Sequence, residues 1–251
     1  MKIKKRKSVK KIMVIAGGVI IIGIIAFVLS YTYTVSGKVT DISSKQPVKS
    51  IKIAVAGHSQ ETNEQGDYKI SNIKIYERRS LVVTAPEQYE KQGDIQISYT
   101  SRKVQKDFTV EPTLTETTNR DLIAGKNGQY DYLWDLLHPD DRAYWGSKEE
   151  YINTLKKRDD IAREASHSVK SETIGKNIRK LDTWKSEVTG KEYKEVMEVP
   201  IEEINVDNGK EQPNNYLHYY QRIDGYYHYF TGVNKDDIKK AIDAYNALKS
   251  L

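Results

Sequence analysis

Hydrophobic and polar positions change rhythm three times along this chain. Ile12–Leu29 is an apolar run without a charged residue, and the next charge after Lys11 is Lys38. An apolar run of about 18–20 residues is long enough to cross a bilayer as a helix. From Val35 the pattern turns to short alternating stretches at Val35–Asp41, Ile51–Gly57, Tyr68–Ile70, Leu81–Thr84, Ile95–Tyr99 and Val104–Val110. Asn63–Asp67 supplies turn chemistry, with Gly66 at a position suited to positive φ. Six or seven short strands at this spacing predict an all-β sandwich.

Glu111–Asn119 lacks apolar periodicity, and its Pro and Thr residues predict an extended linker over 113–120. The rhythm then becomes helical: Tyr130, Leu133, Trp134 and Leu137 fall at i, i+3, i+4, i+7. His138-Pro139 ends that helix. Ser147–Glu150 has capping-box spacing, and Tyr151, Leu155, Ile161, Ala162 and Ala165 continue the amphipathic pattern. From Ser168 strands return, with hairpin signals at Thr189-Gly190, Asn208-Gly209 and Asp224-Gly225. A closing helix begins near Asn234, with Ile238, Ile242, Tyr245 and Leu248 on one stripe. Helices followed by antiparallel strands predict an α+β domain. The expected organisation is a basic tail at 1–11, a transmembrane helix at 12–33, a β-sandwich at 34–112, a linker at 113–120 and an α+β domain at 121–251.

Charge gives the first segment its orientation. Seven Lys and Arg residues stand among the first eleven positions. Flanking cations stay on the cytoplasmic side, so the N-terminus is expected inside the cell and the bulk of the chain outside it. Signal-peptide cores run about 7–15 residues. The longer run here favours a retained anchor over cleavage after Val28-Leu29-Ser30. The tail is too short to fold, so no inward-signalling output domain is expected. The whole chain carries a formal charge of +5, of which the tail contributes +7, leaving −2 for the rest. The tail suits anionic lipid headgroups. The near-neutral remainder argues against nucleic acid, which would need a basic face. Zero cysteines exclude lipidation at cysteine, disulfides, thiolate catalysis and cysteine-type zinc sites.

Two segments carry resemblances. Ser36-Gly-Lys-Val-Thr-Asp41, Pro47-Val-Lys-Ser-Ile-Lys-Ile53 and Thr62-Asn-Glu-Gln-Gly-Asp-Tyr-Lys-Ile70 together resemble the carboxypeptidase regulatory-like domain. That resemblance implies a transthyretin-like, seven-stranded β-sandwich serving as a structural or binding module, not as a catalyst. Ser50 stands where the family commonly has glycine. Leu133–Arg142, Trp145–Tyr151 and Ile223–Phe230 resemble the nuclear-transport-factor-like cone fold, over about residues 125–232. The helix after the last strand is an addition to that plan, and so widely reused a fold implies no function by itself.

The densest chemistry lies in Tyr216–Phe230, which holds six of the eighteen tyrosines. A two-residue loop at Asp224-Gly225 pairs Ile223 with Tyr226, Gln221 with His228 and Tyr219 with Phe230. Side chains alternate along a strand. Leu217, Tyr219, Gln221, Ile223, Tyr226, His228 and Phe230 therefore share one face, expected under the helices. Tyr216, His218, Tyr220, Arg222, Tyr227 and Tyr229 share the other. His218 and His228 then point opposite ways and cannot share a metal.

His228, Gln221, Tyr219 and Trp134 are the candidate ligand-binding residues of a concave pocket. The competing reading is that tyrosine, a strong strand former, packs a half-buried sheet. Trp134 is expected to meet Tyr219, Ile223 and Phe230, so that Trp134→Ala would cost about 3–5 kcal/mol. His138, Asp140, Asp141 and Arg142 are explained by a helix end followed by acids at the next helix N-terminus. Asp159-Asp160 and Asp236-Asp237 read as a solvated face and a helix start. Lys38 and Asp107, in the first and last strands, have the types needed for an isopeptide cross-link, but strand alternation turns Lys38 to solvent. No phosphate loop, nucleophile elbow or histidine pair at metal spacing occurs. No catalytic residue, metal or cofactor is therefore expected. The expected function is a membrane-anchored, extracytoplasmic, non-catalytic binding or assembly protein of the bacterial cell envelope, with membrane lipid and other envelope proteins or cell-wall glycan as partners. The alternative is a small-ligand-binding protein or enzyme using the cone pocket.

Overall fold

The computed structural model describes residues 30–74, 77, 80–98 and 102–249. The expected anchor lies largely outside the described residues, though Thr32 and Tyr33, assigned to it above, already belong to a strand. Among the described residues, no helix is long and apolar enough to cross a membrane. The chain forms two compact units, each with its own sheets.

The first unit is all-β. Its strands are β1 (Thr32–Asp41), β2 (Lys52–Val55), β3 (His58–Glu61), β4 (Asp67–Lys74), β5 (Ser80–Thr84), β6 (Ile95–Gln96), β7 (Lys103–Gln105) and β8 (Phe108–Val110). One sheet is centred on β1, antiparallel to β4 and parallel to both β7 and β8. The other has the order β3-β2-β5-β6. Alternation gives the strands one buried side: Tyr33, Val35 and Val39 on β1, Ile53 and Val55 on β2, Tyr68, Ile70 and Ile73 on β4.

The sequence motifs of this unit have local physical roles. Buried Thr62 donates its hydroxyl to Val48 O at 2.7 Å and accepts Ile51 N–H at 3.0 Å, tying the turn before β2 to the end of β3. Asn63 Oδ1 accepts the N–H groups of Gln65 and Asp67, shaping the turn into β4. Gly66 has φ +75, and a Cβ there would meet Val39 O at 2.4 Å. Tyr68 donates to Lys106 O at 2.6 Å. Ser50 has φ 60, the left-handed region where a side chain costs energy. Asp107 Oδ1 accepts the backbone N–H of Lys38 at 2.8 Å, while Lys38 itself is exposed.

The second unit begins with four helices: α1 (Leu114–Lys126), α2 (Tyr130–Leu136), α3 (Pro139–Trp145) and α4 (Lys148–Glu164). The expected extended linker over 113–120 is instead the start of α1. Thr113 caps it by accepting Glu116 N–H. Its buried positions are Leu114, Thr117, Thr118, Asp121, Leu122 and Ala124. Half of that face is polar, so hydropathy shows no helical period there. A five-stranded antiparallel sheet follows: β9 (His167–Ile174), β10 (Arg179–Lys185), β11 (Glu192–Asp207), β12 (Lys210–Ile223) and β13 (Tyr226–Phe230). β11 is long enough to pair β10 through its first half and β9 through its second. α5 (Lys235–Lys249) closes the unit; Ile238 at its start is buried, while Leu248 near its end is 71% exposed.

Packing against the helices is on the sheet face opposite to the one expected. Tyr220 is fully buried with Leu114 and Leu122 of α1, Leu136 of α2, and Val199 and Ile201 of β11. Tyr229 also packs on the helical residues. Tyrosine hydroxyls made that face look the more polar. Yet the rings are apolar, and a helix that offers a hydrogen-bond acceptor accommodates the hydroxyl.

Candidate functional site

The β12–β13 hairpin turns at Asp224-Gly225, with Ile223 opposite Tyr226, Gln221 opposite His228 and Tyr219 opposite Phe230. This register places three of the four candidate residues on one face, and the segment after α2 joins them. Leu137 forms a parallel bridge to Tyr229, and His138 N–H donates to Tyr229 O at 2.7 Å. His138 is thereby laid over Phe230 at 4.3 Å between ring centroids.

A directed chain of hydrogen bonds runs through this cluster. Asp140 N–H donates to His138 Nδ1 at 3.2 Å, so in the neutral ring the proton sits on Nε2. Nε2 donates to Gln221 Oε1 at 3.0 Å. Gln221 Nε2 donates to Lys194 O at 2.9 Å. Burial pushes His138 below the ordinary histidine range, against the opposing effect of its hydrogen bond to Gln221. His228 is likewise lowered by burial and donates Nδ1–H to Leu137 O at 3.3 Å. Each of these groups is committed to a partner inside the fold.

Aromatic rings fill the rest of this face. Trp184 stacks on Tyr219 at 4.5 Å and lies 4.8 Å from Phe230, with Tyr193 4.6 Å from Phe230. Tyr219 donates to Glu198 Oε2 at 3.3 Å, and Glu198 is held on its other oxygen by Arg179. Trp134 does not join them. It packs on Tyr151 at 5.6 Å, within the helical core around fully buried Trp145. Trp184, from β10, takes the place expected for Trp134.

The acids after His138 divide by environment. Asp140 accepts Lys191 Nζ and the Tyr193 hydroxyl, each at 2.8 Å, and those bonds hold its carboxyl below the usual range. Asp141 is fully buried; Oδ2 accepts Thr231 N–H at 2.6 Å, and Oδ1 has no partner among the described residues. Burial pushes its carboxyl up to about 7.

The helix-covered face holds a second polar group. Asp121 of α1 accepts the Tyr220 hydroxyl at 2.7 Å and lies 3.0 Å from His218 Nδ1. Tyr216 donates to Glu172 of β9 at 2.6 Å. Burial raises the Glu172 carboxyl, against the lowering effect of the Tyr216 hydroxyl. His218 and His228 thus serve different clusters. Among the described residues, no group of three or more acids and histidines is arranged to hold a metal.

No protein-family model and no curated protein matches the chain. A 9R-lipoxygenase from Cyanothece resembles it at a TM-score of 0.22 and 11% identity, over 76% of this chain and 40% of that one. A likeness at that score assigns neither fold nor activity.

Trp184 and Asp121 were missed by pattern reading, and His138 was set down to a helix end. Reading His138 as a helix end leaves both of its ring nitrogens to be placed, which was the available signal. Asp121 gave none, because its helix had no visible period.

Proposed function

We propose that this chain is a membrane-anchored, extracytoplasmic, non-catalytic binding or assembly protein of the bacterial cell envelope. In this reading the first unit is a transthyretin-like sandwich of the carboxypeptidase regulatory-like type, and the second is a cone-like α+β domain. The basic tail followed by the uncharged run Ile12–Leu29 supports the location. The roles of Thr62, Asn63 and Gly66 in the turn chemistry of β3 and β4 support the first domain type. So does the left-handed φ of Ser50, at the position where that family commonly carries glycine.

The observation that carries the non-catalytic reading is the commitment of both His138 ring nitrogens and of the Gln221 amide to partners inside the fold. A general acid or base must reach a reacting group, whereas these side chains are spent on Asp140 N–H, on each other and on Lys194 O. The same hydrogen bonds lock the β12–β13 hairpin to the α2–α3 segment, giving a rigid surface for a partner to bind.

The test is cross-linking of the full chain in its own membrane, followed by affinity capture and mass spectrometry. A chain reduced to residues 1–33 serves as control. Specific enrichment of envelope proteins, or of wall glycan, by the full chain is the expected result. An identical catch from both chains contradicts the reading.

A further inference from the structure

The Asp121–His218 cluster has a forced proton arrangement. Asp121 and His218 retain 4% and 12% side-chain exposure, and Nδ1 lies 3.0 Å from Asp121 Oδ2. Tyr220 spends its one hydroxyl proton on the same carboxylate oxygen. The Tyr220 oxygen, 3.2 Å from Nδ1, can therefore only accept from His218. Nδ1 faces two acceptors and must carry a proton, which leaves the lone pair of the neutral ring on Nε2.

Nε2 has no hydrogen-bond partner among the described residues. It is also absent from the unpartnered polar atoms that are sealed from solvent, which include Thr117 Oγ1 one turn before Asp121. Its lone pair therefore opens to solvent at the edge of the α1-covered sheet.

The surroundings define what would fit that lone pair. The rings of Tyr216 and Tyr229 flank the His218 ring at 5.1 and 4.7 Å. Tyr216 ties in the half-buried Glu172 through Oε1, leaving Oε2 without a protein partner among the described residues. Glu203 and Asp121 act on Glu172 beside the His218 ring, so three carboxylates stand around one imidazole. Val199 and Ile201 on β11, opposite His218 and Tyr216, give a buried apolar floor. Acceptors, aromatic faces and negative potential together select a cation that donates hydrogen bonds.

We propose that His218, Glu172, Tyr216 and Tyr229 form a binding site for a small organic ammonium. The ammonium donates to His218 Nε2 and Glu172 Oε2, and its carbon skeleton lies against the tyrosine rings. Asp121 is a positioning residue that holds the acceptor tautomer of His218. This site is distinct from the His138–Gln221–His228 face and independent of the envelope reading.

Nitrogen NMR of the histidine-labelled full chain in detergent tests it, because the chain has only five histidines. His218, assigned by its loss in His218→Phe, is expected as the Nδ1–H tautomer. Titration with putrescine and with tyramine should shift its Nε2 signal saturably, whereas neutral 1,4-butanediol should not. Glu172→Gln should weaken that response by about tenfold or more. Asp121→Asn should move the ring toward the Nε2–H tautomer and abolish the response, and Glu172→Gln gives an independent reading if His218→Phe fails to fold. An Nε2–H tautomer in the unsubstituted chain overturns the proposal. So does equal response to the diol, or no saturable shift with either amine at millimolar concentration.

Discussion

Asp141 shows how one buried side chain makes stability depend on pH. Its folded carboxyl is raised from 3.8 to about 7 by burial, so the folded chain binds a proton more tightly than the unfolded chain. Its favourable contribution is full below pH 4 and declines as pH rises, until both states are ionised above about 7. Asp141→Asn removes that loss and is expected to stabilise the second unit at pH 8, by up to about 4 kcal/mol. All three tryptophans lie in that unit, so denaturation followed by tryptophan fluorescence isolates it. A variant no more stable than the parent at pH 8 contradicts the assignment. The same probe separates the remaining tryptophans from each other. Trp145 is fully buried, so Trp145→Ala should cost about 3–5 kcal/mol. Trp134 is only partly buried against Tyr151 and should cost clearly less. In the first unit, Ser50→Gly relieves a left-handed φ and should raise stability by about 1 kcal/mol, read by calorimetry.

At the scale of elements, local information was legible and cross-element packing was not. The Asp224-Gly225 loop set the β12–β13 register because a two-residue hairpin admits one pairing. The end of α2 at Leu136 and the cap of α4 at Ser147 were equally local. β3 escaped notice because all four of its residues are exposed, leaving no alternation to read. α1 escaped because its buried side includes Thr117, Thr118 and Asp121, whose polarity is satisfied in part by the sheet it covers. Which face of β12 met the helices depended on that missed helix, and Trp184 could displace Trp134 only through the pairing of β11 with β12, which carries the β10–β11 hairpin to Tyr219 and Phe230. The segment 113–120 should resist limited proteolysis, because Leu114–Lys126 is a capped helix buried on one side. Thr113→Ala should cost about 1 kcal/mol and speed cleavage there. Cleavage of the unsubstituted chain first at 113–120 contradicts the helix.

At the scale of the whole molecule, a basic and then apolar N-terminal segment precedes two compact units. Absence of cysteine makes the topology directly measurable, since any thiol label must report an introduced position. Ser8→Cys marks the basic tail, and Lys176→Cys marks an exposed position between β9 and β10. Each full-length variant is produced in a bacterial host and treated with a membrane-impermeant maleimide, first on intact protoplasts and then after permeabilisation. A retained anchor with its N-terminus inside predicts that Cys at 176 is labelled on intact protoplasts, that Cys at 8 is labelled only after permeabilisation, and that both remain with the membrane. Labelling of position 176 only after permeabilisation, or release of the labelled protein without its first thirty residues, would contradict it.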